Sequence, residues 1–122
     1  MAPSQRRAPW GYYLKNPEFL TLVNSENLHR ARHLQKSEFV KTYNRKFVTL
    51  VSTILDRGVA SGQFRAGVDP MQLNLTIAAI GYYYLTSRYT GSIVFERDLM
   101  AKDALEERLR FNIDTVLRLV AR

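Results

Sequence analysis

Apolar and polar residues along this chain recur with the period of an α-helix, and the pattern breaks at only a few punctuated places. The cleanest run lies between Ser37 and Val59. Phe39, Val40, Tyr43, Phe47, Leu50, Val51, Ile54, Leu55 and Val59 recur at steps of three and four, while Glu38, Lys41, Arg45, Lys46, Ser52, Asp56 and Arg57 fall on the other side. That spacing predicts an amphipathic helix with one buried face, capped at its start by Ser37. An earlier stripe of Phe19, Leu20, Leu22, Val23, Leu28, Ala31 and Leu34 follows Asn16-Pro17, which predicts a helix beginning at Pro17. The polar run Asn24-Ser25-Glu26-Asn27 interrupts it, and a bend or a polar pocket wall is expected there.

From Met71 to Tyr89 the pattern changes. Leu73, Leu75, Ile77, Ala78, Ile80, Tyr82, Tyr83, Tyr84, Leu85 and Tyr89 leave almost no polar face, so this helix must be covered on most sides. Its start is marked by Asp69, which can accept from unpaired amides, and Pro70, whose missing N–H costs nothing at the first helical position. Before it, Gly58 and Gly62 can end the preceding helix with positive backbone angles, and Phe64 can fold back on the last turn. The last helix is predicted after Asp103, with Glu106 as a capping partner; Leu105, Leu109, Ile113, Val116, Leu117 and Val120 form its apolar face. Glu106 with Arg110 and Asp114 with Arg118 are four-residue charge pairs along it.

The expected architecture is therefore all-α, a bundle of about four main helices forming a single domain over residues 12–122. Residues 1–11 are expected to be a disordered tail, followed by an apolar lead-in of Tyr12, Tyr13 and Leu14 next to Trp10. A length of 122 residues and 46% hydrophobic content suit one domain. The absence of cysteine excludes disulfides, thiolate metal sites and cysteine nucleophiles. No apolar run approaches the ~18 residues of a membrane span, so no membrane association is expected and a cytoplasmic location is. The net charge of +7 is lopsided: residues 1–50 carry an excess of six positive charges and residues 51–122 an excess of one. The densest part runs through Arg30, Arg32, Lys36, Lys41, Arg45 and Lys46, with His29 and His33 nearby, and reads as a solvated basic face or a weak nucleic-acid surface. Phe39, Tyr43 and Phe47 share that region, and their spacing of four points them toward the core.

A helix ending in Gly-x-x-x-Gly-x-Phe-Arg (residues 58–65), then Val68-Asp69-Pro70 and a long apolar helix, resembles the C-terminal regulatory domain of TetR-type transcriptional regulators. The similarity extends to Asn16-Pro17-Glu18-Phe19-Leu20, to Glu26-Asn27-Leu28-His29-Arg30, and to Ser87-Arg88-Tyr89-Thr90 with Phe95 after it, covering about residues 12–120. Members of that family carry an N-terminal helix-turn-helix domain, which has no counterpart before Trp10. The resemblance implies an effector-sensing and dimerisation domain: a small, largely hydrophobic molecule would bind among the helices and alter DNA binding by the helix-turn-helix domain. No cofactor is implied. A freestanding helical dimeric interaction protein is the alternative reading.

Candidate residues follow from the pattern. Asn27, Tyr43, Phe47, Ile80, Tyr83 and Ser87 combine apolar walls with convergent polar groups and are expected to line an effector pocket. Asn74, Ala78, Gly81 and Leu85 run along one side of the Pro70 helix, and with Leu109, Ile113, Val116 and Val120 they are expected to form a homodimer interface. Glu26, His29 and His33 align at helical offsets and were weighed as metal ligands. With no other histidine in the chain, no metal site is expected. Neither a phosphate-binding glycine loop nor a nucleophile elbow is present, so no catalytic residue is assigned.

Overall fold

The computed structural model describes residues 8–122, and among them six helices and no sheet strand. They are α1 (Ala8–Lys15), α2 (Pro17–Leu28), α3 (Glu38–Ala60), α4 (Pro70–Thr86), α5 (Arg88–Val94) and α6 (Lys102–Val120), with one 3₁₀ turn at Leu34–Lys36. The four long helices are those the periodicity predicts. The two short ones lie where the sequence suggested an apolar lead-in and a loop. Because α1 starts at Ala8 and Trp10 is buried, the folded part begins before residue 11; the rest of the expected tail, residues 1–7, lies outside the described residues.

Two of the expected caps form as read. Ser37 Oγ accepts from Val40 N at 3.3 Å, and Asp69 Oδ1 accepts from Met71 N at 2.8 Å and Gln72 N at 3.3 Å. At Asn16 the proline alone starts the helix, because the Asn16 amide turns back to Tyr12 O at 3.1 Å. At the last helix Ala101 takes the capping position, and Asp103 bonds only its neighbour Ala104 N. The Asp114–Arg118 pair forms at 2.8 Å. No Glu106–Arg110 bridge occurs among the described residues; Arg97 instead reaches across from the preceding loop to Glu107 at 3.1 Å.

Every other helix packs on α4. The contacts fall into two apolar clusters along its length. Toward its C-terminal end Tyr84 and Leu85 meet Trp10, Leu20, Leu99 and Leu109, while Leu73 near its start meets Val51, Leu55 and Val120. Leu85 is 1% exposed, the most enclosed apolar side chain among those described. The Tyr84 hydroxyl donates to Leu99 O, which fixes the α5–α6 loop over the first cluster.

The turn between α3 and α4 is closed by geometry at two glycines with different duties. Gly62 adopts φ +80, the left-handed conformation a helix end requires. Gly58 stays helical, and its value is space: a Cβ there would lie 1.8 Å from Phe64 Cδ2. Phe64 N and Gln63 N both return to Gly58 O, so the ring is drawn back onto the last turn. The same loop ties down the C-terminus, with Arg65 N on Val120 O at 2.8 Å and Arg122 N on Gln63 O at 3.1 Å.

The polar run in α2 produces no bend. The helix continues through it to Leu28, after which Arg30 and Ala31 both take φ +57. Two successive left-handed non-glycine residues are costly, and Glu26 holds them in place. Its carboxylate accepts from His33 Nδ1 at 2.8 Å, His33 N at 3.3 Å and Leu34 N at 3.1 Å, while its own carbonyl accepts from Ala31 N at 2.6 Å. The His33 side chain is the main reason the Glu26 carboxyl is held below its usual range; partial burial opposes the shift and the Leu34 amide adds to it.

Gly58→Ala is expected to destabilise the protein by about 1–3 kcal/mol, the usual cost of overpacking, measured by urea denaturation. A neutral result would mean that Phe64 has room to swing away. For Glu26 the depressed pKa means that the carboxylate stabilises the fold fully above the unfolded value of about 4.3 and loses that effect as pH falls through the lower folded value. Glu26→Gln should therefore be less stable than wild type near neutral pH, and the two denaturation midpoints should converge below about pH 4. A gap that stays constant across that range would dismiss the clasp as a stabilising contact.

Candidate functional site

The candidate site is the opening left between α2 and α3, two helices that share α4 as a floor. Both α2 and α3 pack on α4, yet they have little contact with each other. The floor and the α2 wall meet through polar groups. Tyr82 donates its hydroxyl toward Asn24 Oδ1 at 2.9 Å and Leu20 O at 3.2 Å, and Asn24 Nδ2 donates to Thr86 Oγ1 at 2.8 Å. On the α3 side, Asn74 Nδ2 donates to Asn44 Oδ1 at 3.1 Å. Tyr13 of α1 stands edge-on to Tyr82 at 6.1 Å and stacks on Phe19 at 5.8 Å. Its phenol is raised above the ordinary tyrosine range by burial first, then by the Tyr82 and Tyr43 hydroxyls, so three tyrosines from α1, α3 and α4 converge here.

The expected pocket residues are not gathered around one enclosed space. Tyr43 is exposed at the rim and stacks on Phe39, with ring centroids 6.4 Å apart. Both rings sit on the surface and not in the core, contrary to the direction their spacing suggested; only Phe47 turns inward, onto the Val51, Leu55, Leu73 and Val120 cluster. Asn27 is exposed near the end of α2, Ile80 is half-buried on α4, and Tyr83 is 60% exposed on another side of that helix. Ser87 caps the junction of α4 and α5, where its carbonyl accepts from Gly91 N. Two shallow depressions, one at Leu28, His29, Arg30, Arg32 and Gln35 and one at Arg65, Val68, Asp69, Gln72 and Leu119, include none of the six. Of the residues that do meet there, Asn24 lies in the polar run the sequence marks as a bend or pocket wall, whereas Tyr13 and Thr86 carry no such signal. The spacing of Asn24 on α2 and of Tyr82 and Thr86 on α4 shows which face each occupies, but not that the two faces meet.

The residues expected at a dimer interface divide in a similar way. Leu85, Leu109 and Val120 are buried in the chain's own core, with Ile113 and Val116 packed against it, and Asn74 is engaged by Asn44. These side chains are occupied within the monomer because α6 lays its apolar stripe on α4. Gly81 faces Trp10 of α1, whose Cε3 would lie 4.0 Å from an added Cβ, and Ala78 alone of the eight is exposed. What remains uncovered is different: Leu75 and Tyr83 on α4, Tyr89, Ile93 and Val94 on α5, Phe95 after it, and Phe111 and Leu117 on α6. Ile93 is 80% exposed. The Glu26, His29, His33 set is not arranged as a ligand cage either. Glu26 is bonded to His33, His29 Nδ1 donates to Ser25 O at 2.9 Å, and no group of three His, Cys, Asp or Glu among the described residues is placed for a metal.

No helix among the described residues is long and apolar enough to cross a membrane. No solved structure matches the chain. Against curated proteins, it is 35% identical over 109 residues to the HTH-type transcriptional repressor NicS of Pseudomonas putida, a match covering 89% of this chain and 51% of that repressor. The chain thus spans about half the length of the curated relative it matches. A family model, tetracyclin repressor-like, C-terminal domain, matches residues 6–116. All-helical among the described residues and matched over residues 6–116, the chain belongs to the family of tetracyclin repressor-like C-terminal domains.

Proposed function

We propose that this chain is the effector-sensing and dimerising part of a TetR-type transcriptional repressor, and that its effector is a small, largely hydrophobic molecule bound in the opening between α2 and α3. The observation that carries the reading is the shared floor: α4 offers both walls a mostly apolar surface with hydroxyl and amide groups at one edge, the mixture that orients a small ligand. The similarity to NicS supports a role in repression. Binding, not catalysis, is the task, and DNA would be read by a helix-turn-helix domain of the full regulator, acting in the cytoplasm. To act as a switch the effector must favour the DNA-incompetent arrangement, since only differential affinity moves a two-state equilibrium.

Dimerisation is the second half of the proposal, and the uncovered apolar side chains of α4, α5 and α6 support it. Ile93, Val94, Phe95 and Phe111 are too large and too exposed to be left in water together. A symmetric copy would cover them, in an interface of the order of ~2,000 Å² in total for an obligate pair. The surface differs from the one the sequence suggested, because the stripe through Gly81 and Leu85 is already used by α1 and the core.

Three outcomes are expected. Sedimentation of the chain at micromolar concentration gives a dimer, and Ile93→Asp gives a folded monomer; a monomeric wild type would refute the dimer. In a thermal-shift screen of small hydrophobic compounds, a true effector at 100-fold over its Kd adds about 2.7 kcal/mol of stability, and the shift is lost in Tyr82→Phe with Tyr43→Ala. Shifts indifferent to that double substitution would move the binding site elsewhere. Footprinting with the isolated chain should show no site-specific protection at physiological salt.

A further inference from the structure

The connector between α2 and α3 is built with more care than a simple link requires, and it carries charge that nothing in the fold uses. Arg30 and Ala31 hold two successive left-handed backbone conformations, locked by the Glu26 carboxylate on His33 and Leu34. This curl wraps Leu28, His29, Arg30, Arg32 and Gln35 around an open depression of about 530 Å³. Arg30, Arg32, Lys36, Arg45 and Lys46 are all exposed, and among the described residues none has a carboxylate within 4.0 Å. The two acids of the region are already engaged, Glu26 by His33 and Glu38 by Lys41 at 3.4 Å. The basic excess of the chain's first half is therefore concentrated and uncompensated at one end of the α2–α3 pair.

We propose that this surface binds the phosphate backbone of duplex DNA without reading its sequence. Its shape fits an extended polyanion better than a small effector. The depression is open, no buried polar side chain points into it, and its charges continue out of it along α3 toward Lys46. From the start of α3 to Lys46 the helix rises about 12 Å, a span that faces roughly three or four phosphates of one strand. Arginine and lysine on an exposed turn and helix end make the contacts that position a protein on a duplex and leave specificity to other elements. The surface adds a salt-dependent attraction to whatever reads the operator, and it does not depend on the effector assignment.

The test is fluorescence anisotropy of the 122-residue chain with a labelled duplex of arbitrary sequence, titrated at several salt concentrations. Binding should weaken as salt rises, and Arg30→Ala with Arg32→Ala should reduce the magnitude of the log–log salt slope by about 1.8, two phosphate contacts at 0.9 each. The control Arg57→Ala with Arg110→Ala removes the same charge from α3's far end and α6, and should leave the slope unchanged. Glu26→Ala separates a built surface from net charge: it makes the chain more positive yet should weaken binding by releasing the curl. Equal effects of the two arginine pairs, or tighter binding by Glu26→Ala, would overturn the proposal. So would stronger capture by anionic phospholipid vesicles than by the duplex, which would assign the surface to membranes.

Discussion

A helix with no polar side cannot rest against a single neighbour, and that constraint organises this domain. Along α4, Leu73 and Ile77 belong to one apolar cluster and Tyr82, Tyr84 and Leu85 to another, so partners are needed around the helix as well as along it. Each of the five other described helices supplies part of that cover. Removing any one would expose apolar area at roughly 25 cal/mol per Å², which makes the short α1 and α5 structural necessities. The capping chemistry serves the same end. Asp69 and Pro70 fix where α4 starts, and the Gly58–Phe64 turn delivers the chain to that point at the correct angle.

The two clusters meet the last helix at different places. Leu105, Leu109 and Ile113 of α6 serve the first cluster, while Val116, Leu119 and Val120 serve the second; within the first stretch Asn112 is buried with no partner for its Oδ1 among the described residues. Arg108, one turn earlier, spans the faces of Tyr84 and Phe111 at 5.6 and 5.8 Å. A buried amide oxygen without a partner is a cost to the fold at this position.

How much of this was legible before the structure depends on whether the signal was local. The helix starts at Ser37 and Asp69-Pro70 are written in adjacent residues and appear where expected. Residues whose role depends on a second element were harder to place. Leu85 and Val120 look equally suited to a core or an interface, because periodicity identifies an apolar face without naming its partner. Gly81 suggests room for a second copy, and the neighbour found beside it is Trp10, seventy-one residues earlier. Phe39 and Tyr43 continue the stripe of Phe47 and Val51 yet stay exposed, stacked on each other, while only Phe47 and Val51 join the apolar cluster. The polar run from Asn24 to Asn27 suggests a bend or a pocket wall; the helix continues through it, and Asn24 and Glu26 find partners in Tyr82 and His33.

These contacts also decide which wall of the opening yields more easily. On the α3 side, movement would separate Val51, Leu55 and Leu73, and opening a void at one such leucine costs about 2–5 kcal/mol. On the α2 side, apart from Leu20, the link to α4 is made by Asn24 with Tyr82 and Thr86. Hydrogen bonds of that kind contribute about 0.5–1.5 kcal/mol net, because water or a ligand can replace either partner. A molecule entering between the walls and taking over the Tyr82 or Thr86 hydroxyl would therefore displace α2 before it displaced α3. Displacement of α2 is carried directly to the Glu26 clasp two residues beyond Asn24, and from there to the curled, basic connector. The α2 wall and the charged turn are one continuous piece of chain, so a shift of α2 would reach the Glu26 clasp before any other part of the connector.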